Sequence, residues 1–190
     1  MGAELWSDLC QKSLTATINS RYRLTHYNFL HQTYLTPLKL HKYKPEISSL
    51  CFRCSIEEGS FLHCTWLCTK LNTFWHDFSD IVTKLLGVHL PLDPQICLLG
   101  DTTNIDARLR KPQKKFLSLA LCVARICIAV AWKSDSRLSI RRWVSEMNSC
   151  VPLEKITYTL RKDYDTFIEM WQPYLECMDT LSASLLMDGL

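Results

Sequence analysis

The sequence predicts an all-α protein: an irregular helical domain with a small CCHC, zinc-knuckle-like insertion. Three observations predict it. Apolar residues recur at three- and four-residue steps along most of the chain, alternating apolar and polar runs are nearly absent, and one short segment gathers cysteines around a glycine turn. At 190 residues the chain is long enough for one sizeable core. Apolar residues make up 47% of it and aromatics 11%, which excludes a chain too polar to fold.

Residues 4–43 read as two or three helices stopped near Pro37 and Pro45. Leu67, Leu71, Phe74, Phe78, Ile81, Val82 and Leu85 share one helical face. They predict an amphipathic helix of about five turns, ended by Gly87. Residues 88–104 hold Pro91, Pro94 and Gly100 and read as a linker, with a short strand pattern at 95–99. Residues 114–133 are apolar on most sides and predict the central buried helix. The run at 116–132 is too short for a membrane span and carries Arg125, so a core helix is the reading. Residues 138–148 predict a shorter helix. Leu153, Ile156, Leu160, Tyr164, Phe167, Ile168, Trp171 and Leu175 form a last apolar stripe, which Pro173 ends or kinks. The organisation expected is a basic helical lead-in over 1–50, the cysteine segment over 51–68 and a C-terminal helical domain over 69–190.

The formal net charge of +3 conceals a gradient. Residues 105–142 hold ten Lys or Arg against Asp106 and Asp135, whereas from Trp143 onward eight acids face three bases. The opening residues lack the basic and apolar regions of a secretory signal. Ten cysteines without that signal predict an intracellular chain, nuclear or cytoplasmic and not secreted, whose thiols are metal ligands or core residues.

Cys51-x2-Cys54, then eight residues, then His63-x4-Cys68 offers the ligand types and spacing of one closed, structural Zn²⁺ site. Gly59 turns the chain and Ser60 is placed to cap the next helix. On a regular helix, however, His63 and Cys68 diverge by about 140°, while Cys64 and Cys68 share a face. Cys64 is therefore a rival third ligand, with His63 preferred because a zinc-binding turn can distort. Reduced cysteines in a helical hairpin are the bland alternative. A redox C-x-x-C belongs beside a βαβ unit, and none is predicted.

No catalytic constellation is legible. The chain has no G-x-S-x-G, no phosphate-binding glycine loop and no H-E-x-x-H, and five glycines are few for substrate loops. Glu57 and Glu58 read as exposed loop acids, and His26, His31, His41, His76 and His89 as surface or capping residues. Arg21, Arg23, Lys39, Lys42, Lys44 and Arg53 are interleaved with Tyr22, Tyr27, Tyr34, Tyr43 and Phe52. That pairing suits RNA or single-stranded DNA, since bases stack on rings while cations neutralise phosphates. The same rings also suit a core.

The order of segments carries more than any one of them. YLTPLKLHKYKPEISSLCFRC, FLHCTWLC, the FW pair at 74–75, LPLDPQICLLGD, ARICIAVAWKS, RRWVSEMNSC, EKITYTL and WQPYLE follow one another over about residues 20–176. This succession resembles the region downstream of the polymerase in LINE-type non-LTR retrotransposon proteins. In that family the second open reading frame encodes an endonuclease, a reverse transcriptase and a carboxy-terminal CCHC segment. The resemblance puts the CCHC ligands on Cys51, Cys54, His63 and Cys68. It implies a non-catalytic segment that engages nucleic acid, beside the parent polymerase, during target-primed reverse transcription. The aromatic-x-Asp-Asp polymerase signature is missing, as is the endonuclease, so no enzyme activity is expected of this chain. A retroelement-derived helical module that binds protein, or a relic reading frame without a selected role, is the alternative.

Overall fold

The computed structural model describes residues 2–131 and 138–187, with side chains as far as Met178. Eight α-helices follow the apolar periodicity among these residues: α1 (Ala3–Thr15), α2 (Ser20–Leu30), α3 (Pro37–Tyr43), α4 (Asn72–Leu86), α5 (Thr103–Asp106), α6 (Lys111–Ala131), α7 (Ile140–Leu160) and α8 (Tyr164–Met187). No strand forms among the described residues; one isolated antiparallel bridge, Leu50 with Glu58, closes the cysteine loop. The all-α expectation holds.

Local chemistry sets the helix ends. Asn19 accepts from the Arg21 amide at the start of α2, and Thr36 accepts from the Lys39 amide at the start of α3. Pro37 occupies the first position of α3, where its missing N–H is no loss. Gly87 ends α4 with φ +65°, a left-handed cap that costs glycine nothing.

The centre of the molecule is α6. Thirteen of its residues, from Phe116 to Ala131, are buried, and α2, α7 and α8 pack around it. Trp143 of α7 donates its indole N–H to the Ala120 carbonyl at 3.0 Å. Tyr174 of α8 donates its hydroxyl to Asn148 of α7 at 2.8 Å. One contiguous apolar cluster joins Tyr22, Cys51, Cys68, Phe78, Trp143 and Trp171. Burial of such a cluster is the main term that offsets the entropy of ordering the chain.

Five local expectations need correction. Gln95–Leu99 is a wide π-helical turn and not a strand. Ile96, Cys97 and Leu98 are buried together, and three carbonyls of the turn are taken by side chains: Arg125 donates to those of Ile96 and Cys97, His26 to that of Leu99. A strand would have needed a partner edge to satisfy them. His26 is accordingly a buried residue, not a surface one. The α4 helix begins only at Asn72, and Leu67 is exposed, because the chain breaks at Cys68 with ψ 121°. The last stripe divides at Leu160 into two helices, with Lys162 left-handed between them. There α7 turns Trp143, Met147, Cys150, Glu154 and Tyr158 inward, leaving Leu153, Ile156 and Leu160 in solvent. Nor does Pro173 end α8: the carbonyl it leaves without a helical donor belongs to Glu169, an exposed residue that water can serve.

Glu154 is the inward charge of α7. Burial pushes its carboxyl up to about 7, against the pull of the Thr17 hydroxyl and of Arg161 and Lys115. An acid with a raised folded-state pKa stabilises the fold below its ordinary value near 4.5, and that contribution is lost as pH rises through about 7. Chemical denaturation of wild type and Glu154→Gln side by side should therefore show the stability difference between them shifting against the wild type from pH 5 to 8, by an amount on the order of 3 kcal/mol. The comparison cancels buried His26, whose lowered pKa adds stability as pH rises toward 6.5 in both proteins.

Candidate metal centre

The centre is built from a short hairpin and a distorted turn. Across the hairpin, the Cys51 amide donates to the Glu57 carbonyl and the Gly59 amide to the Ser49 carbonyl, both at 2.8 Å. Ser55 takes a left-handed conformation, φ +56°, immediately after Cys54. It is therefore Ser55, and not Gly59, that reverses the chain. Gly59 serves close approach: a Cβ there would meet the Pro37 ring at 2.5–2.9 Å, so the hairpin sits directly on α3.

Ser60 then caps the next turn as expected, its hydroxyl accepting from the His63 amide at 3.1 Å. Residues His63–Leu67 form a π-helical turn, closed by the Cys68 amide donating to the His63 carbonyl at 3.0 Å. The five-residue bond resolves the rivalry between Cys64 and His63. A regular helix returns residue i+4 to the starting face, whereas this wider turn returns i+5, and Cys68 leaves it in extended conformation. Two hydrogen bonds hold the turn in place. Trp75 of α4 donates its indole N–H to the Thr65 carbonyl at 3.2 Å, and Thr65 donates its hydroxyl to the Phe61 carbonyl at 2.7 Å.

The result is a cluster of four donors, Cys51 Sγ, Cys54 Sγ, Cys68 Sγ and one nitrogen of His63, all within 4.8 Å of one another. Cys64 is not among them. His63 Nε2 lies 3.3 Å from Cys54 Sγ, while its Nδ1 lies 3.1 Å from a Glu57 carboxylate oxygen. Glu57 therefore accepts from Nδ1–H and leaves the Nε2 lone pair facing the sulfurs. A tetrahedral zinc with three thiolates and one imidazole has S···S edges of about 3.8 Å and N···S edges of about 3.5 Å, so the spacing fits one metal ion. Four protein donors leave no open position, which is the mark of a structural site.

Two further residues belong to the site: Glu57, which escaped the sequence reading, and Arg53, one of the bases the sequence offers both to phosphates and to balance a three-thiolate site. Glu57 is 65% exposed, as a loop acid should be, yet it orients His63 in the manner of a carboxylate paired with a metal-bound histidine. The signal lay in its spacing, six residues before the histidine across a hairpin. Arg53 was expected on the surface, facing phosphates; instead it is 5% exposed. Its Nη1 donates to the Cys64 carbonyl at 3.1 Å, and Nε and Nη2 make no hydrogen bond of ordinary length. The same side chain lies against Cys68, where it acts to lower that thiol's pKa, although burial raises it overall.

This buried guanidinium, without a carboxylate partner among the described residues, tests the fit of a metal. Three thiolates and Zn²⁺ sum to a charge of about −1, and one buried arginine balances it. Cys51 is already inclined to lose its proton: the thiol of Cys64, hydrogen-bonded to it, draws it down to about 4 against the opposing effect of burial.

The remaining predicted nucleic-acid residues do not converge on this centre. Arg21, Lys42 and Lys44 are exposed. Arg23 donates to the Leu14 carbonyl at 3.0 Å, and Lys39 to the Gln32 carbonyl. Of the interleaved rings, Tyr27 and Tyr43 are exposed and Tyr22 is core. No protein-family model matches the chain. No helix among the described residues is long and apolar enough to cross a membrane.

Cys51→Ser should lower the zinc content of the purified protein and increase amide exchange over residues 45–70, because metal binding and local folding are linked. Cys64→Ser should retain full stoichiometry. Glu57→Gln should keep the metal but weaken it 10–100-fold in a chelator competition, the usual effect of removing such a partner. Zinc-free protein with an intact fold would contradict the assignment of the centre.

Proposed function

We propose that the chain is the non-catalytic C-terminal part of a LINE-type retrotransposon reverse-transcriptase protein, holding one structural Zn²⁺ and binding single-stranded nucleic acid in support of target-primed reverse transcription. The observation that carries this reading is the closed Cys51, Cys54, His63, Cys68 donor set. It supports the CCHC correspondence because it uses the histidine, which helical spacing alone disfavours, and omits Cys64. A closed site supplies folding energy and no catalysis.

Nucleic-acid binding draws on a smaller set of residues than the sequence suggests. Arg21, Lys42 and Lys44 are exposed, as are the Tyr27 and Tyr43 rings that could stack on bases. RNA is the first partner to test and single-stranded DNA the second. The parent polymerase is the natural protein partner.

A second reading has its own observation. Leu153, Ile156 and Leu160 are 58%, 58% and 79% exposed on the outer side of α7, and Tyr164 and Ile168 continue the apolar face onto α8. Such a face favours a retroelement-derived module that binds protein.

Titration with a single-stranded RNA oligonucleotide at several salt concentrations separates the two. Phosphate contacts release counterions, so the logarithm of affinity should fall linearly with the logarithm of salt. Replacing Arg21, Lys42 and Lys44 by Ala should flatten the slope by about one per lost contact. Absence of binding at low salt would favour the protein-binding module. A primer-extension assay should give no template-dependent product, and any synthesis by pure protein would overturn the non-catalytic reading.

A further inference from the structure

Arg125 stands in the middle of α6 and is 1% exposed. Its Nε donates to the Cys97 carbonyl at 2.9 Å and its Nη2 to the Ile96 carbonyl at 3.4 Å, while Nη1 lies 3.8 Å from Cys122 Sγ. All three partners are neutral, and no carboxylate pairs with the guanidinium among the described residues. A guanidinium does not shed its proton. Carbonyl oxygens offset part of the cost of burying it, but a buried cation without a countercharge remains several kcal/mol unfavourable.

The guanidinium has company. It lines a cleft of about 220 Å³ together with Lys12 of α1, His26 of α2, and Lys114 and Lys115 of α6. Asp106 is the one carboxylate in the lining among the described residues, so four cations face one anion. Asp106 approaches Lys114 at 3.9 Å, and Lys115 approaches Asp163 at 4.0 Å; both pairs are long and partly exposed. Solvent screens such pairs, and either lysine can turn to a better partner.

Two features make this a shaped cleft and not merely a run of surface lysines. His26 is 3% exposed, its Nε2–H is committed to the Leu99 carbonyl, and its Nδ1 lone pair is buried with no partner. Gly100, at φ +77°, brings the backbone so close that a Cβ would meet His26 and Arg125 at 3.1–3.2 Å. An adjoining cleft of about 350 Å³ shares Thr15, Ala16 and Lys115 and adds Arg23 and Arg161, there balanced by Glu154 and Asp163.

We propose that the cleft around Arg125 is a phosphoryl-anion site, in which Arg125, Lys12, Lys114 and Lys115 hold the oxygens of one phosphate group. Arg125 supplies its fixed charge and the Nη protons not engaged by the Ile96 and Cys97 carbonyls, and mobile ammonium groups close on the phosphate oxygens. A ligand hydroxyl, on a singly protonated phosphate or a ribose, would donate to His26 Nδ1. The phosphate is either a link of an RNA backbone or a free phosphate ester. The RNA source rests on the nucleic-acid reading above; the cleft itself does not.

The full chain is unfolded thermally in phosphate and in chloride at equal ionic strength. At ten times its dissociation constant, phosphate should raise the folded-to-unfolded ratio about tenfold over chloride. Lys12→Ala with Lys114→Ala, both exposed positions, should remove that gain. Ser118→Glu sets a carboxylate in the cleft; it should raise stability in chloride and abolish the response to phosphate. Equal stability in the two salts, or a gain that survives in both variants, overturns the proposal. The oligoribonucleotide identifies the source. Weaker RNA binding by Ser118→Glu and competition by free phosphate assign the site to RNA, whereas RNA binding indifferent to both assigns it to a free phosphate ester. If wild type binds no RNA at low salt but phosphate still stabilises it, the nucleic-acid reading fails and the cleft stands.

Discussion

Three thiolates within a few ångströms of one another repel, and the architecture around Cys51, Cys54 and Cys68 depends on how that repulsion is met. As thiols they would form only weak contacts, too weak to justify a left-handed Ser55, a π-helical turn and a broken helix start at Cys68. A divalent metal turns the same geometry from a cost into a source of folding energy. The surroundings are arranged to suit: Glu57 fixes which nitrogen of His63 faces the sulfurs, and Arg53 carries the positive charge that a three-thiolate site lacks. Arg53 and Cys64, next in sequence to Cys54 and His63, serve the site without being ligands.

The two π-helical turns among the described residues mark two polar places. His63–Leu67 brings His63 to Cys68, and Gln95–Leu99 presents carbonyls to Arg125 and His26. A π turn is less stable than an α turn and persists where something else needs its width. At the first turn the width brings together a donor set able to hold a metal ion, and at the second it serves a buried cation. Between them α4 and α6 supply apolar packing, with Phe74, Phe78, Leu117 and Cys122 fully buried. Rigid packing there keeps both turns in register with the core.

Much of this was legible in the sequence, in unequal measure. Apolar periodicity located α4 and α6, and Gly87 marked the end of α4, because those signals are local. The ligand spacing named Cys51, Cys54, Cys68 and, ahead of Cys64, His63, and the resemblance settled on His63. Periodicity identifies a face but not the direction it looks. For this reason the stripe through Leu153, Ile156 and Leu160 does not mark the buried face: α7 turns inward a face that includes Glu154, a residue no hydrophobic pattern selects. Arg53 and His26 were misplaced for a related reason: charge predicts exposure unless a partner distant in sequence holds the group, and Leu99 lies 73 residues from His26. Glu57 escaped because its role appears only when the hairpin folds it onto His63.

The central claim is a zinc bound by three sulfurs and one nitrogen. X-ray absorption at the zinc edge of the purified full chain measures that shell directly. The account predicts one zinc per chain, with three sulfur neighbours at about 2.3 Å and one nitrogen at about 2.0–2.1 Å. A shell of four sulfurs, with Cys64 in place of His63, or a shell of oxygens and nitrogens alone, would contradict it.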